Sequence, residues 1–168
     1  METEQLRSIQ RPLKDKYKEQ PDSAVVTLKA KAKPGEGITC KIETGMALSV
    51  AGLHPATGGD GLSLCSGDML LDALAACAGV TLMAVSTSLG IKLKDSTIYA
   101  EGDIDFRGTL AVSKEAPVGL KNIRLKFELD TDEDKEKIET LIKLTERYCV
   151  VLQTLKSAPE LKTTYEIK

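Results

Sequence analysis

Nineteen consecutive residues, ALAACAGVTLMAVSTSLGI from Ala73 to Ile91, carry no charge. A helix drawn through them is apolar or small on every side, so every side must be covered. Length alone would allow a membrane span, since about 18 apolar residues suffice. Composition argues against one: Ala73, Ala75, Ala76, Ala78, Gly79 and Ala84 are small, Thr81, Ser86, Thr87 and Ser88 are polar, and no aromatic belt flanks the run. The stretch therefore reads as the buried central helix of a folded domain. Ser66 is a suitable N-cap, Asp68 falls in the first turn where the helix dipole favours an anion, and Gly90 supplies a stop. One sheet covers one face only. Ala75 and Gly79, four apart, allow two backbones to approach, and a second copy of the same helix in a symmetric homodimer is expected to cover the rest.

The remaining chain supplies the sheet. Residues 1–22 read as a polar arm, and residues 23–168 as a single domain. From Val26 the run VTLKAKA alternates, placing Val26, Leu28, Ala30 and Ala32 on one face of a strand. ITCKIET and MALSVAG are two further strand-like runs. After the central helix come two β-rich segments, residues 91–112 and 119–131; in the second, Ile123, Leu125, Phe127 and Leu129 alternate. A second helix is expected to open at Thr131, with Ile138, Leu141, Ile142 and Thr145 as its apolar stripe. A short helical stretch through CVVLQTL follows, and TTYEIK reads as a closing strand. The class is α+β.

Net charge is −2, which does not favour nucleic acid, since phosphate neutralisation needs clustered Lys and Arg. The N-terminus is too polar for a signal peptide, so the expected location is the cytoplasm, where thiols stay reduced. Cys40, Cys65, Cys77 and Cys149 form no CxxC pair, and with a single histidine a zinc site of the usual spacing is not expected; no cofactor is called for. From periodicity alone Cys77 reads either as a small core residue or as a nucleophile. His54, in the glycine-rich turn HPATGGDG, reads either as a loop residue packed beside Pro55 or as a donor to a reactive group.

Two motifs carry a resemblance. SGDMLLDALAACAGVTL resembles the central helix of the OsmC/Ohr family, with an acidic residue near the helix start and then a first cysteine. ERYCVVLQTL resembles the family's second-cysteine segment, with Val150 where proline is usual. The resemblance implies an OsmC-like fold: a long central helix packed against antiparallel sheets in an intertwined homodimer, with the active sites at the subunit interface. It implies reduction of organic hydroperoxides, with Cys77 as the peroxidatic thiol and Cys149 as the resolving thiol. The partners so implied are the hydroperoxide and an external dithiol or lipoylated protein as reductant.

One departure matters. The family carries an arginine before the central helix, whereas this chain has none between Arg11 and Arg107. His54 occupies roughly that region, and Arg147, two residues before Cys149, is the other candidate cation; its alternative role is dipole partner at a helix end. Asp68 matches the acidic position, but nine residues along an ideal helix put it opposite Cys77, so contact needs an irregular first turn or a reach across the dimer, and the alternative role is an anion at the helix start. The alternative function is a non-catalytic dimeric protein on the same fold that binds a small ligand or senses redox state.

Overall fold

The computed structural model describes residues 3–34, 40–42, 52–62 and 64–167. Helix α1 (Thr3–Glu19) is followed by strand β1 (Val25–Pro34) and strand β2 (Cys40–Ile42). The long helix α2 (Ser66–Leu89) then leads to strand β3 (Asp95–Asp105), the single-turn α3 (Phe106–Thr109) and strand β4 (Lys121–Asp130). Helices α4 (Lys135–Tyr148) and α5 (Val150–Lys156) complete the order. The strands form one antiparallel sheet in the order β2-β1-β3-β4. The run MALSVAG lies outside the described residues except for its last glycine.

The sheet has one inward face, and its register shows why. In β3, Ile98, Ala100, Gly102 and Ile104 alternate as buried residues. They stand opposite Ala32, Ala30, Leu28 and Val26 of β1 in the register, and Val26 packs against the core. On the other side Ile98 and Ala100 pair with Phe127 and Leu125 of β4. Against this face lies α2, with Leu71, Leu74, Ala75, Ala78 and Leu82 fully buried. Leu141 and Thr145 of α4 are also fully buried, and Ile138 and Ile142 pack beside the core. The long apolar helix is thus the core helix of the chain.

Its ends follow the expected signals to within a residue. The N-cap is Cys65 rather than Ser66, and Gly90 closes the helix in the left-handed region at φ +67. Ala75 and Gly79 do not form the outer contact expected of them: both are buried within the protomer. The outer face instead carries Met69, Ala73, Ala76, Val80, Met83 and Thr87, all exposed or half-buried.

Four other expectations are corrected. Residues 3–19 of the polar arm form a helix, anchored by the buried Tyr17, whose hydroxyl donates to the Ala56 carbonyl at 2.7 Å. The second helix is capped by Asp134, which accepts from Lys137 N at 2.9 Å. Thr131 is used elsewhere: its hydroxyl donates to Lys92 O at 2.7 Å, tying the end of β4 to the segment after α2. The TTYEIK segment up to Ile167 is not a strand, and no strand among the described residues borders it; Leu161, Tyr165 and Ile167 are 86–89% exposed. Residues 106–109 leave the strand path as a short helix, capped by the buried Asp105.

Candidate active site

Cys77 sits at the start of the fourth turn of α2, half-buried, with its carbonyl accepting from the Thr81 hydroxyl at 2.7 Å. Cys149 occupies the junction of α4 and α5 and is fully buried. There it is both the C-cap of one helix and the N-cap of the next: its N–H donates to Thr145 O and its carbonyl accepts from Gln153 N, each at 2.9 Å. An extended backbone at this one residue lets the chain turn between two helices while the side chain points inward.

The packing of α4 and α5 on α2 brings these two residues, 72 positions apart, close enough for each thiol to influence the other. Both are free thiols. Burial pushes the Cys149 thiol up to about 11; the nearby Cys77 adds to the rise, and the N–H groups of Leu152 and Val151 at the start of α5 oppose it. One turn before Cys149, the fully buried Thr145 hydroxyl has no hydrogen-bond partner among the described residues. A buried donor of that kind is costly unless something else accepts from it.

The other expected site residues lie elsewhere. Arg147 is exposed in the last turn of α4, its guanidinium 5.6 Å from the centre of the Tyr148 ring. His54 stacks on Phe106 at 4.9 Å, and its Nδ1 accepts the Ala56 N–H at 3.0 Å. The loop that holds it is tight: a Cβ at Gly59 would fall 1.7 Å from the Leu53 carbonyl oxygen. Asp68 is close enough to His54 for the imidazole to oppose the upward shift that burial gives its carboxyl. Asp72 is likewise raised, by burial and then by Asp68. Nine residues of helix, about 13.5 Å of rise, separate Asp68 from Cys77 along α2. Among the described residues Cys77 therefore lies near Cys149, and His54 near Asp68 at the start of the same helix.

Sequence reasoning missed one charged centre. Asp105 is 1% exposed and receives both Arg107 Nε, at 2.9 Å, and Arg107 Nη2; Lys121 Nζ lies 3.9 Å away. The first arginine after Arg11 is therefore committed to an ion pair at the end of β3. The DxR spacing was the available signal.

An α+β chain with a free thiol pair bridging its core helix and a helix junction defines a recognisable class. The family model described as OsmC-like protein matches residues 58–164. The chain belongs to the OsmC-like protein family. Among solved structures, it is similar to an OsmC-like hydroperoxide resistance protein from Jannaschia sp. CCS1, at 16% identity and a TM-score of 0.62, covering 86% of this chain and 95% of that one. It is also similar to an OsmC-like protein from Mycoplasma pneumoniae, at 16% identity and a TM-score of 0.56, covering 80% and 86% respectively. A comparison with curated protein sequences gives no match.

Proposed function

We propose that the protein is a cytoplasmic thiol-dependent hydroperoxide reductase. The observation that carries this reading is the proximity of Cys77 to Cys149, close enough for Cys77 to raise the Cys149 thiol. The Cys77 thiolate attacks the terminal oxygen of the hydroperoxide and breaks the O–O bond. The alkoxide leaves as the alcohol after taking a proton, and Cys77 becomes a sulfenic acid. Cys149 then attacks the sulfenic sulfur, water departs, and a Cys77–Cys149 disulfide remains. An external dithiol, free or lipoyl, returns the pair to the reduced state with two electrons. Half-exposure of Cys77 suits the attacking member, and full burial of Cys149 suits the member that meets only the protein's own sulfur.

The protein is read as a homodimer. Met69, Ala73, Ala76, Val80, Met83 and Thr87 are spaced 4, 3, 4, 3 and 4 apart, the repeat of a helix seam, on the face of α2 that the described residues leave exposed or half-buried. A second copy of the same stripe, with small residues at its middle, is the occupant that matches it. The exposed Leu161, Tyr165 and Ile167 are a further apolar surface for the same partner. The wild-type chain is expected to run as a dimer in size-exclusion chromatography with light scattering, and Ala76→Glu to run as a folded monomer. A wild-type monomer would overturn this part of the reading.

The functional test is consumption of cumene hydroperoxide with dihydrolipoamide as reductant. Multiple turnovers support the reductase. A second reading, a dimeric binding or redox-sensing protein, is favoured by the positions of the arginines: Arg107 is held by Asp105 and Arg147 lies over Tyr148. Absence of turnover with ligand or oxidant still binding would favour that second reading.

A further inference from the structure

A cavity of about 390 Å³ opens at the first turn of α2, away from the thiol pair. That volume falls within the range of small-molecule sites. Leu53, Leu70, Ile104, Phe106, Val118 and Leu120 form its apolar lining, and Leu53, Leu70 and Val118 are exposed, so the apolar surface extends to the mouth. Cys65, half-buried, and His54 line the same space. These polar groups come from two separate segments, the His54 loop and the start of α2. Ser66 and Gly67 also line the cavity, and their N–H groups have no acceptor within the helix. The Cys65 side chain does not cap them. His54 accepts the Ala56 N–H at Nδ1, which leaves its proton on Nε2 as a second donor.

These features select a ligand class. The lining calls for an alkyl chain. The N–H donors call for an oxygen on which negative charge develops. A permanent carboxylate is disfavoured by Asp68 in the same first turn, so a neutral carbonyl fits better. The thiol calls for a soft electrophile. We propose that this cavity captures medium-chain α,β-unsaturated carbonyl compounds through Cys65. The sulfur bonds to the β-carbon, and the C=C π pair shifts to give an enolate whose oxygen faces the start of α2 and His54. The proton lost by the thiol returns at the α-carbon. The product is a thioether carbonyl compound, and no oxidant or reductant is consumed. The site is independent of the hydroperoxide chemistry assigned to Cys77 and Cys149.

The test uses the full-length reduced protein with trans-2-nonenal and with propenal, each rate divided by the rate of the same compound with N-acetylcysteine. Full burial of one methylene is worth about fourfold, so the normalised rate for nonenal is expected to exceed that for propenal by at least about tenfold. Peptide mapping is expected to place the nonenal adduct on Cys65. Cys65→Ser is expected to abolish the chain-length preference while hydroperoxide consumption stays unchanged. His54→Ala is expected to slow nonenal addition at Cys65 more than alkylation of Cys65 by iodoacetamide, a comparison that a merely loosened loop would not produce. Adducts mainly on Cys77 or Cys149, or equal normalised rates for the two compounds, would overturn the proposal. A Cys65 adduct without turnover of hydroperoxide would leave it standing and count only against the reductase.

Discussion

Replacing Cys77 by serine is expected to reduce hydroperoxide consumption to the rate of buffer and reductant alone. Serine keeps the half-buried position but cannot act as a thiolate nucleophile at neutral pH, and Cys149, fully buried, has no comparable access to substrate. Cys149→Ser should behave differently. One equivalent of hydroperoxide is consumed, a sulfenic acid persists on Cys77, and turnover then stops unless small thiols reduce it directly. The disulfide-forming step should also depend on pH. Burial and the nearby Cys77 raise the Cys149 thiol, so little of it is ionised at neutrality. Its attack on the sulfenic sulfur should accelerate as pH rises from about 7 to about 9, because the thiolate is the attacking form. Stopped-flow mixing followed by acid quench and mass spectrometry separates the two steps.

The second large effect is on stability. Asp105→Asn is expected to cost about 2–3 kcal/mol, somewhat less than the ~3–5 kcal/mol typical when one partner of a fully buried pair is removed. The reduction arises because Arg107 and Lys121 retain partial exposure and can turn toward water. With a urea slope of about 2 kcal/mol/M, the midpoint should fall by roughly 1 M. Arginine hydrogen bonds hold the Asp105 carboxyl below the usual carboxylate range. Its contribution is therefore complete above the unfolded value near 3.9 and is lost as pH falls through the lower folded value. Urea midpoints measured between about pH 2 and 7 should show that the variant lacks this acid-dependent component. Asp103→Asn is the contrasting case: Asp103 is paired with Arg124 at 3.1 Å, but the ion pair is solvent-screened, and the effect should be small.

How far the sequence reveals these features depends on where the information resides. The bounds of α2 are local: an acidic first turn, an uncharged run and Gly90, and the helix follows them. The sheet face is local too, since Ile98, Ala100 and Ile104 alternate within one strand and fix the register of their neighbours. Helix α1 was present as the spacing of Leu6, Ile9, Leu13 and Tyr17, but the charges between them made the segment read as a polar arm. The cap of α4 was ambiguous because both Thr131 and Asp134 suit the role, and only the bond from Thr131 to Lys92 O decides between them. The tail alternates like a strand but borders no strand among the described residues, so local pattern alone gave the wrong state. In the site, two cysteines in helical contexts were legible. The placing of Cys65 and His54 on one cavity was not, because it depends on a loop closed over glycines rather than on any spacing between the two residues.

Addition of one equivalent of cumene hydroperoxide to the reduced protein, followed by alkylation and non-reducing peptide mapping, tests the thiol pair most directly. The expected product is two hydrogens lighter than the starting chain, with the Cys77 peptide joined to the Cys149 peptide and Cys65 still open to alkylation. If Cys77 and Cys149 both remain alkylatable, or if oxygen accumulates on Cys77 while Cys149 stays free, the two sulfurs do not work together and the reductase assignment is wrong.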